Sequence, residues 1–172
     1  MDELIDWLDE CLLVFPEIKR KKININYKKI ASKRLGYVSA KIEKSLNFDA
    51  EALLLGEYTK INEVKKKPKD FKIFINSRFQ KIGNIALKKQ IVLQVIIHEL
   101  LHIMDEDLFT ISKDYNKRKK KKIHVNDFKE EVFNRYNKLR ELKGIIQIQK
   151  KEHLDIAISK ILENIGWFKQ EV

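Results

Sequence analysis

Two histidines and a glutamate inside one apolar stretch are the side chains of this sequence best suited to chemistry. His98 and His102 stand four residues apart, with Glu99 between them, in Ile91–Met104 (IVLQVIIHELLHIM). On a helix, this spacing puts the two imidazoles on one face, with Cβ atoms about 5–6 Å apart. This is the HExxH arrangement, in which two histidines bind zinc and the glutamate serves as general base. We therefore predict that His98 and His102 are zinc ligands and that Glu99 is catalytic.

The simplest alternative is a core helix that carries three polar residues without a metal. Burying ionisable side chains on an otherwise apolar helix costs several kcal/mol when they have no partner. A bound cation removes this cost, and the pattern therefore favours zinc.

A catalytic zinc site has three protein ligands and keeps its fourth position for water. The metzincin pattern requires a glycine and a histidine at the positions held here by Asp105 and Leu108, which excludes that class. The remaining candidates for the third ligand are His124, Glu131, Glu130 and Asp105. For Asp105 we favour a hydrogen bond to a ligand imidazole over direct binding.

The order of these features resembles that of the SprT-like metallopeptidases, over roughly residues 27 to 140. A strand, Phe71–Asn76, precedes the HELLH helix, and a basic loop then leads to His124 and, four residues later, Phe128. The resemblance implies a zinc-dependent peptidase with His124 as third ligand, acting on protein bound or crosslinked to DNA. The Gly-Pro of that family's histidine segment is replaced here by Val125-Asn126, and a single cysteine leaves no zinc ribbon.

The periodicity of the remaining chain indicates the elements that must position this site. We predict a first helix from Leu4 to Phe15, closed by Pro16, and strands at Val38–Ile42 and Phe71–Asn76. The short apolar segment Ala52–Tyr58 fits a strand or a helix, and we favour a strand. A helix of about 20 residues should begin at about Ile85, and another should run from about Phe128 to Gly144 with an Asp127/Glu130 capping box. A last helix should follow a brief alternation at residues 145–149.

These elements predict an α+β, zincin-like fold. A small mixed sheet of about three strands should pack on the HExxH helix, with helices at both ends of the chain. We assign residues 1–144 to the metallopeptidase domain, and 145–172 to a helical extension packed on it. Cys11 lies in the apolar pattern of the first helix and is predicted to be a core residue.

The net charge of +11 suits an anionic partner, above all nucleic acid. Two basic runs, Lys19–Lys22 and Lys117–Lys122, are candidates for non-specific DNA contact, although solvated loops are the commoner meaning of such runs. No segment has the length of a membrane span, and the acidic N-terminus is unlike a secretory signal. We therefore expect no membrane association and a cytoplasmic location.

The predicted function is a zinc endopeptidase that acts on a protein or peptide substrate aligned by strand addition. Its oxyanion donor should come from Tyr115, Tyr136 or Arg135. The competing function is a non-catalytic, zinc-bound DNA-binding or regulatory protein on the same scaffold.

Overall fold

The computed structural model describes residues 3–18, 21–30, 34–41, 44–47, 62–65, 68–105 and 126–167. The predicted strand at Ala52–Tyr58, Tyr115, the basic run Lys117–Lys122 and His124 lie outside the described residues.

Within the described ranges, the chain forms four α-helices and five β-strands. The helices are α1 (Glu3–Leu12), α2 (Ile85–Met104), α3 (Asn126–Leu142) and α4 (Lys151–Asn164). The strands are β1 (Lys22–Lys28), β2 (Gly36–Ala40), β3 (Lys44–Asn47), β4 (Asn62–Lys65) and β5 (Asp70–Asn76). Short 3-10 helices occupy Pro16–Ile18 and Ser77–Lys81.

The main sheet has three strands in the order β1-β5-β2. β1 runs parallel to β5, and β2 runs antiparallel to it, with Val38 opposite Ile73. β3 and β4 form a separate antiparallel pair. The protein is therefore α+β, with the small mixed sheet that the sequence predicts.

β5 is the middle strand of this sheet, and one of its faces is almost wholly apolar. Phe71, Ile73 and Ile75 alternate along the strand and are buried against the helices. β1 was not predicted as a separate strand, although Ile23, Ile25 and Tyr27 alternate in the same way. The lysine and asparagine residues between them have low strand propensity, and the pairing with β5 forms the strand nevertheless.

The predicted central helix is confirmed, because α2 begins at Ile85 and is 20 residues long. The side chain of Asn84 caps its N-terminus by accepting hydrogen bonds from the backbone N–H groups of Ala86 and Leu87, at 3.0 and 3.1 Å. Half of its residues are buried, among them Ile96, Ile97 and Leu100. A helix that is apolar on most sides lies inside a fold, and α2 is accordingly the centre of the core.

α1 packs against the first half of α2 and ends at Leu12, before the predicted stop at Pro16. Glu3 accepts hydrogen bonds from Tyr27 Oη at 2.8 Å and from Lys88 Nζ at 2.9 Å, which joins α1 to β1 and α2. Cys11 is fully buried, as predicted, and its thiol faces the Leu93 carbonyl. Burial raises the pKa of this thiol well above its ordinary range.

α3 begins at Asn126, two residues before the predicted start at about Phe128. Asp127 is therefore inside the helix, and its predicted capping role is wrong. Asp127 lies within the first turn, where its negative charge favours the helix N-terminus. The predicted end is correct, because Gly144 follows the helix with a φ of 67°.

α4 and the turn after it cover one side of the core. Leu154, Leu162 and Trp167 are buried, and the Trp167 ring stacks on Phe79 with centroids 4.9 Å apart. Arg78 donates a hydrogen bond to the Gly166 carbonyl at 2.8 Å. The alternation at residues 145–149 does not form a strand. Among the described residues, no helix combines the length and the hydropathy needed to cross a bilayer.

Candidate metal centre

The two histidines of α2 face each other across one helical turn. The ring centroids of His98 and His102 are 5.0 Å apart, with the ring planes at 78°. Both side chains are only partly buried, whereas the helix around them is in the core. The imidazoles therefore form a polar, partly exposed edge on an apolar helix.

This spacing fits a shared metal ion. An imidazole nitrogen binds zinc at about 2.0–2.1 Å, which places the ring centroid about 3.2 Å from the ion. Two imidazoles at a tetrahedral angle then have centroids about 5 Å apart. The observed distance between the two rings has this value. By this measure the two imidazoles are spaced as two ligands of one metal ion would be.

An aromatic ring from α3 contacts both imidazoles. The Phe128 centroid lies 5.0 Å from that of His98, edge to face, and 4.8 Å from that of His102. Such contacts between aromatic rings contribute about 0.5–1.5 kcal/mol beyond burial. Phe128 therefore restricts the orientation of both histidines and fastens the start of α3 to α2. The sequence predicted that Phe128 lies near the start of α3, but it did not predict that its ring contacts the two imidazoles.

Glu99 lies on the side of α2 that faces the sheet. Its side chain is 5% exposed. Burial raises its pKa from 4.5 to about 7, against the lowering effects of His102, a hydrogen bond from the Val38 backbone and the charge of Arg34. A carboxylate in this position can hold a proton near neutral pH and release it, as a general base must.

Two residues outside α2 set the position of β2 beside Glu99. Asn76, which is fully buried, donates hydrogen bonds from Nδ2 to the carbonyls of Ile30 and Arg34, at 3.4 and 3.0 Å. Gly36 lies so close to α2 that a Cβ atom there would be 2.7 Å from Cγ1 of Val95. Asn76 therefore fixes the entry to β2, and Gly36 allows the strand to approach the helix. Sequence reasoning predicted neither role.

The candidates for the third ligand are placed differently. His124 is outside the described residues. Glu131 accepts a hydrogen bond from Arg135 Nε at 2.7 Å, an ion pair within α3. Glu130 and Asp105 are exposed, and Asp105 directly follows the end of α2. The part of the chain that the structure describes contains no cluster of three or more histidine, cysteine or acidic side chains that could hold an ion.

The candidate oxyanion donors in α3 already have partners. Arg135 donates to the Val14 carbonyl and to Glu17, in addition to Glu131. Tyr136 is buried, and its hydroxyl interacts with Arg140 and Gln94. Both side chains therefore have structural roles in the fold.

A groove runs past His98. It has a volume of about 330 Å³ and lies between α2, α3 and α4. Its lining includes Gln94 and His98 of α2, Val132 of α3, and Leu154 and Ile158 of α4. The C-terminal helix thus forms a wall of a space that reaches a predicted metal ligand.

One lysine of the first basic run has a structural role. Lys21 Nζ donates to the Ile103 carbonyl at 3.1 Å and lies 5.3 Å from the centroid of the Phe71 ring. A cation is favoured at a helix C-terminus, where carbonyl groups lack backbone partners. Lys21 therefore stabilises the end of α2, just beyond His102.

Comparison with known proteins found no match. No protein-family model matches the sequence, and neither a curated protein nor a solved structure matches it.

Proposed function

We propose that this protein is a zinc-dependent metallopeptidase with its active site on α2. The observation that carries the proposal is the juxtaposition of His98 and His102, with ring centroids 5.0 Å apart, and the buried Glu99 on the same helix. The SprT-like order of motifs supports the same class and adds His124 as third ligand. Zinc, when bound, supplies Lewis acidity towards the peptide carbonyl and lowers the pKa of water.

The roles of the chain's own residues follow from their positions. His98 and His102 would hold the metal, and the Phe128 ring would keep both imidazoles in orientation. Glu99 would take a proton from the attacking water and pass it to the leaving amine. The Val38 backbone and Arg34 favour the ionised form of Glu99, which is the form that accepts the proton.

The position of β2 favours a peptide substrate over a small molecule. It lies at one edge of the three-stranded sheet, next to Glu99. An extended peptide can add to such an edge through backbone hydrogen bonds. The substrate backbone would then run past Glu99, where its peptide bond can be attacked.

A variant of Glu99 provides the test. Glu99→Gln keeps the size of the side chain but removes the base, so the variant should bind one zinc and lose cleavage of an unfolded protein substrate. Glu163→Gln, an exposed change on α4, is the matched control and should retain activity. Undiminished cleavage by Glu99→Gln would exclude the mechanism.

Metal content is the second arm of this test. His98→Gln should bind less zinc than the wild type, whereas His153→Gln should not, because His153 is exposed on α4. Wild-type protein purified without metal and then titrated with zinc should bind one equivalent. If the wild-type protein binds no zinc, both the peptidase and any other zinc-dependent function are excluded.

The net charge of +11 favours a second candidate, a zinc-bound DNA-binding protein without catalysis. Binding to double-stranded DNA that weakens steeply with salt, together with an absence of cleavage under all conditions, would support it. DNA binding with cleavage would instead support a peptidase that acts on DNA-associated proteins.

A further inference from the structure

The lining of the groove between α2, α3 and α4 combines apolar side chains with two lysines. Val132, Leu154 and Ile158 supply the apolar surface, with Leu154 in the core. Lys129 approaches from α3 and Lys151 from α4. Such a lining accepts a ligand whose body is apolar and whose far end is polar.

The charges in the lining favour an anion. Two lysines and one acidic side chain, Asp155, line the groove. Neither Lys129 nor Lys151 forms an ion pair with any residue in the described ranges. Two lysines in one lining that form no ion pair in the described ranges favour a ligand carboxylate.

The position of the groove connects it with the predicted metal site, where water would attack the peptide bond with Glu99 as its base. His98 is part of the groove wall and also belongs to the predicted metal site. A side chain of a substrate bound at His98 can therefore enter the groove directly. A volume of about 330 Å³ suits one large side chain with adjacent backbone.

We propose that this groove is the specificity pocket of the peptidase, and that it accepts an acidic side chain next to the cleaved bond. The proposal rests on the proposed function for the reaction, but the ligand class rests on the groove alone. The carboxylate would lie between Lys129 and Lys151, and its methylene stem would contact Val132 and Ile158.

The first experiment measures binding without catalysis. 4-Phenylbutanoate, an apolar body with a carboxylate end, is titrated into zinc-loaded and chelator-treated protein and followed by ¹H–¹⁵N chemical shifts. The shifts should move at Gln94, Val132 and Leu154 in both samples. Binding only in the zinc-loaded sample would show metal coordination and would overturn the pocket.

Two pairs of variants locate the site. Ser159→Trp fills the groove rim and should abolish binding of the probe, whereas Ala157→Trp, an exposed position of α4 outside the lining, should not. Lys151→Glu should weaken binding about fivefold, the effect of losing one partly exposed ion pair. Lys160→Glu makes the same charge change on α4 outside the groove and should have no effect.

The second experiment measures specificity with peptides in which Glu, Gln or Lys replaces one residue at a time beside the cleaved bond. Wild type should cleave one Glu peptide with the highest kcat/KM, and Lys151→Glu should shift the preference towards Lys. An unchanged preference would overturn the pocket's role. If the probe binds but no peptide is cleaved, the proposed peptidase function is wrong. The groove would then still be a site that binds a carboxylate.

Discussion

Arg135 donates a hydrogen bond from Nε to the Glu131 carboxylate at 2.7 Å, one turn earlier on α3. The same guanidinium binds Glu17 and lies 4.6 Å from the centroid of the Phe15 ring. Glu131 therefore belongs to a network that joins α3 to the segment after α1. A carboxylate in this network would have to leave a cation to bind zinc, which makes Glu131 the weaker choice for third ligand.

We therefore expect different metal affinities for two variants. Glu131→Gln should bind zinc as the wild type does, whereas His124→Gln should bind it more weakly by over about 100-fold, since even partners behind the ligands contribute 10- to 100-fold. Competition with a chromogenic chelator measures both. The reverse order of affinities would make Glu131 the ligand.

Phe128 should contribute to zinc affinity through the orientation of the two imidazoles. Phe128→Leu keeps an apolar side chain but loses both ring contacts, so the zinc affinity should fall by about tenfold. Phe133→Leu on the same helix is the control, since its ring contacts neither imidazole among the described residues. Equal losses in the two variants would assign the effect to helix packing alone.

Gly36 should be essential for the approach of β2 to α2. Gly36→Ala places a Cβ 2.7 Å from Cγ1 of Val95 and 2.9 Å from the Phe74 carbonyl oxygen, so it should lower the free energy of unfolding by about 1–3 kcal/mol. Gly83→Ala has nothing within 4 Å of the new atom and should leave stability unchanged. Urea unfolding measures both free energies. An unchanged stability of Gly36→Ala would contradict the close approach of β2 to α2.

The ion pair between Glu17 and Arg135 should make stability depend on acid pH. The hydrogen bond from Arg135 lowers the pKa of Glu17 from 4.5, so the folded state favours the ionised form. The contribution is therefore present above about pH 4.5 and is lost as the pH falls through the lower, folded-state pKa. Because Glu17 is largely exposed, it should amount to less than about 1 kcal/mol.

Urea unfolding across this pH range, for wild type and Glu17→Gln, measures the contribution. The difference between the two proteins should be greatest near neutral pH and should shrink below about pH 4.5. Glu163→Gln serves as control, because Glu163 forms no ion pair in the part of the chain described by the structure. A difference that grows in acid would contradict the assignment.

Cys11 should be inert in the folded protein. It is fully buried, and burial raises its pKa, so the reactive thiolate is absent at neutral pH. Labelling with a thiol-reactive chromophore should proceed only in denaturant. The double variant Cys11→Ala/Leu13→Cys moves the thiol to a position that is 57% exposed and should react at once. Rapid labelling of native Cys11 would contradict the packing of α1.

The features that could be predicted from sequence are those with a local cause. The spacing of apolar residues gave the start and length of α2, and the alternation of Phe71, Ile73 and Ile75 gave β5. The start of α3 could not be located to within two residues, because Asp127 suits both a cap and a first turn. β1 was missed although Ile23, Ile25 and Tyr27 alternate as in β5, because the asparagine and lysine residues between them have low strand propensity. Its pairing with β5 involves residues distant in the chain.

The sequence by itself determined that His98 and His102 share a face of one helix, because helical periodicity depends on neighbouring residues alone. Only the tertiary structure decided what surrounds that face. It put the Phe128 ring against both imidazoles, the Val38 backbone and Arg34 near Glu99, and α4 along the groove beside His98. These contacts join segments far apart in the chain, and they arise from packing around a common core, which no local pattern encodes.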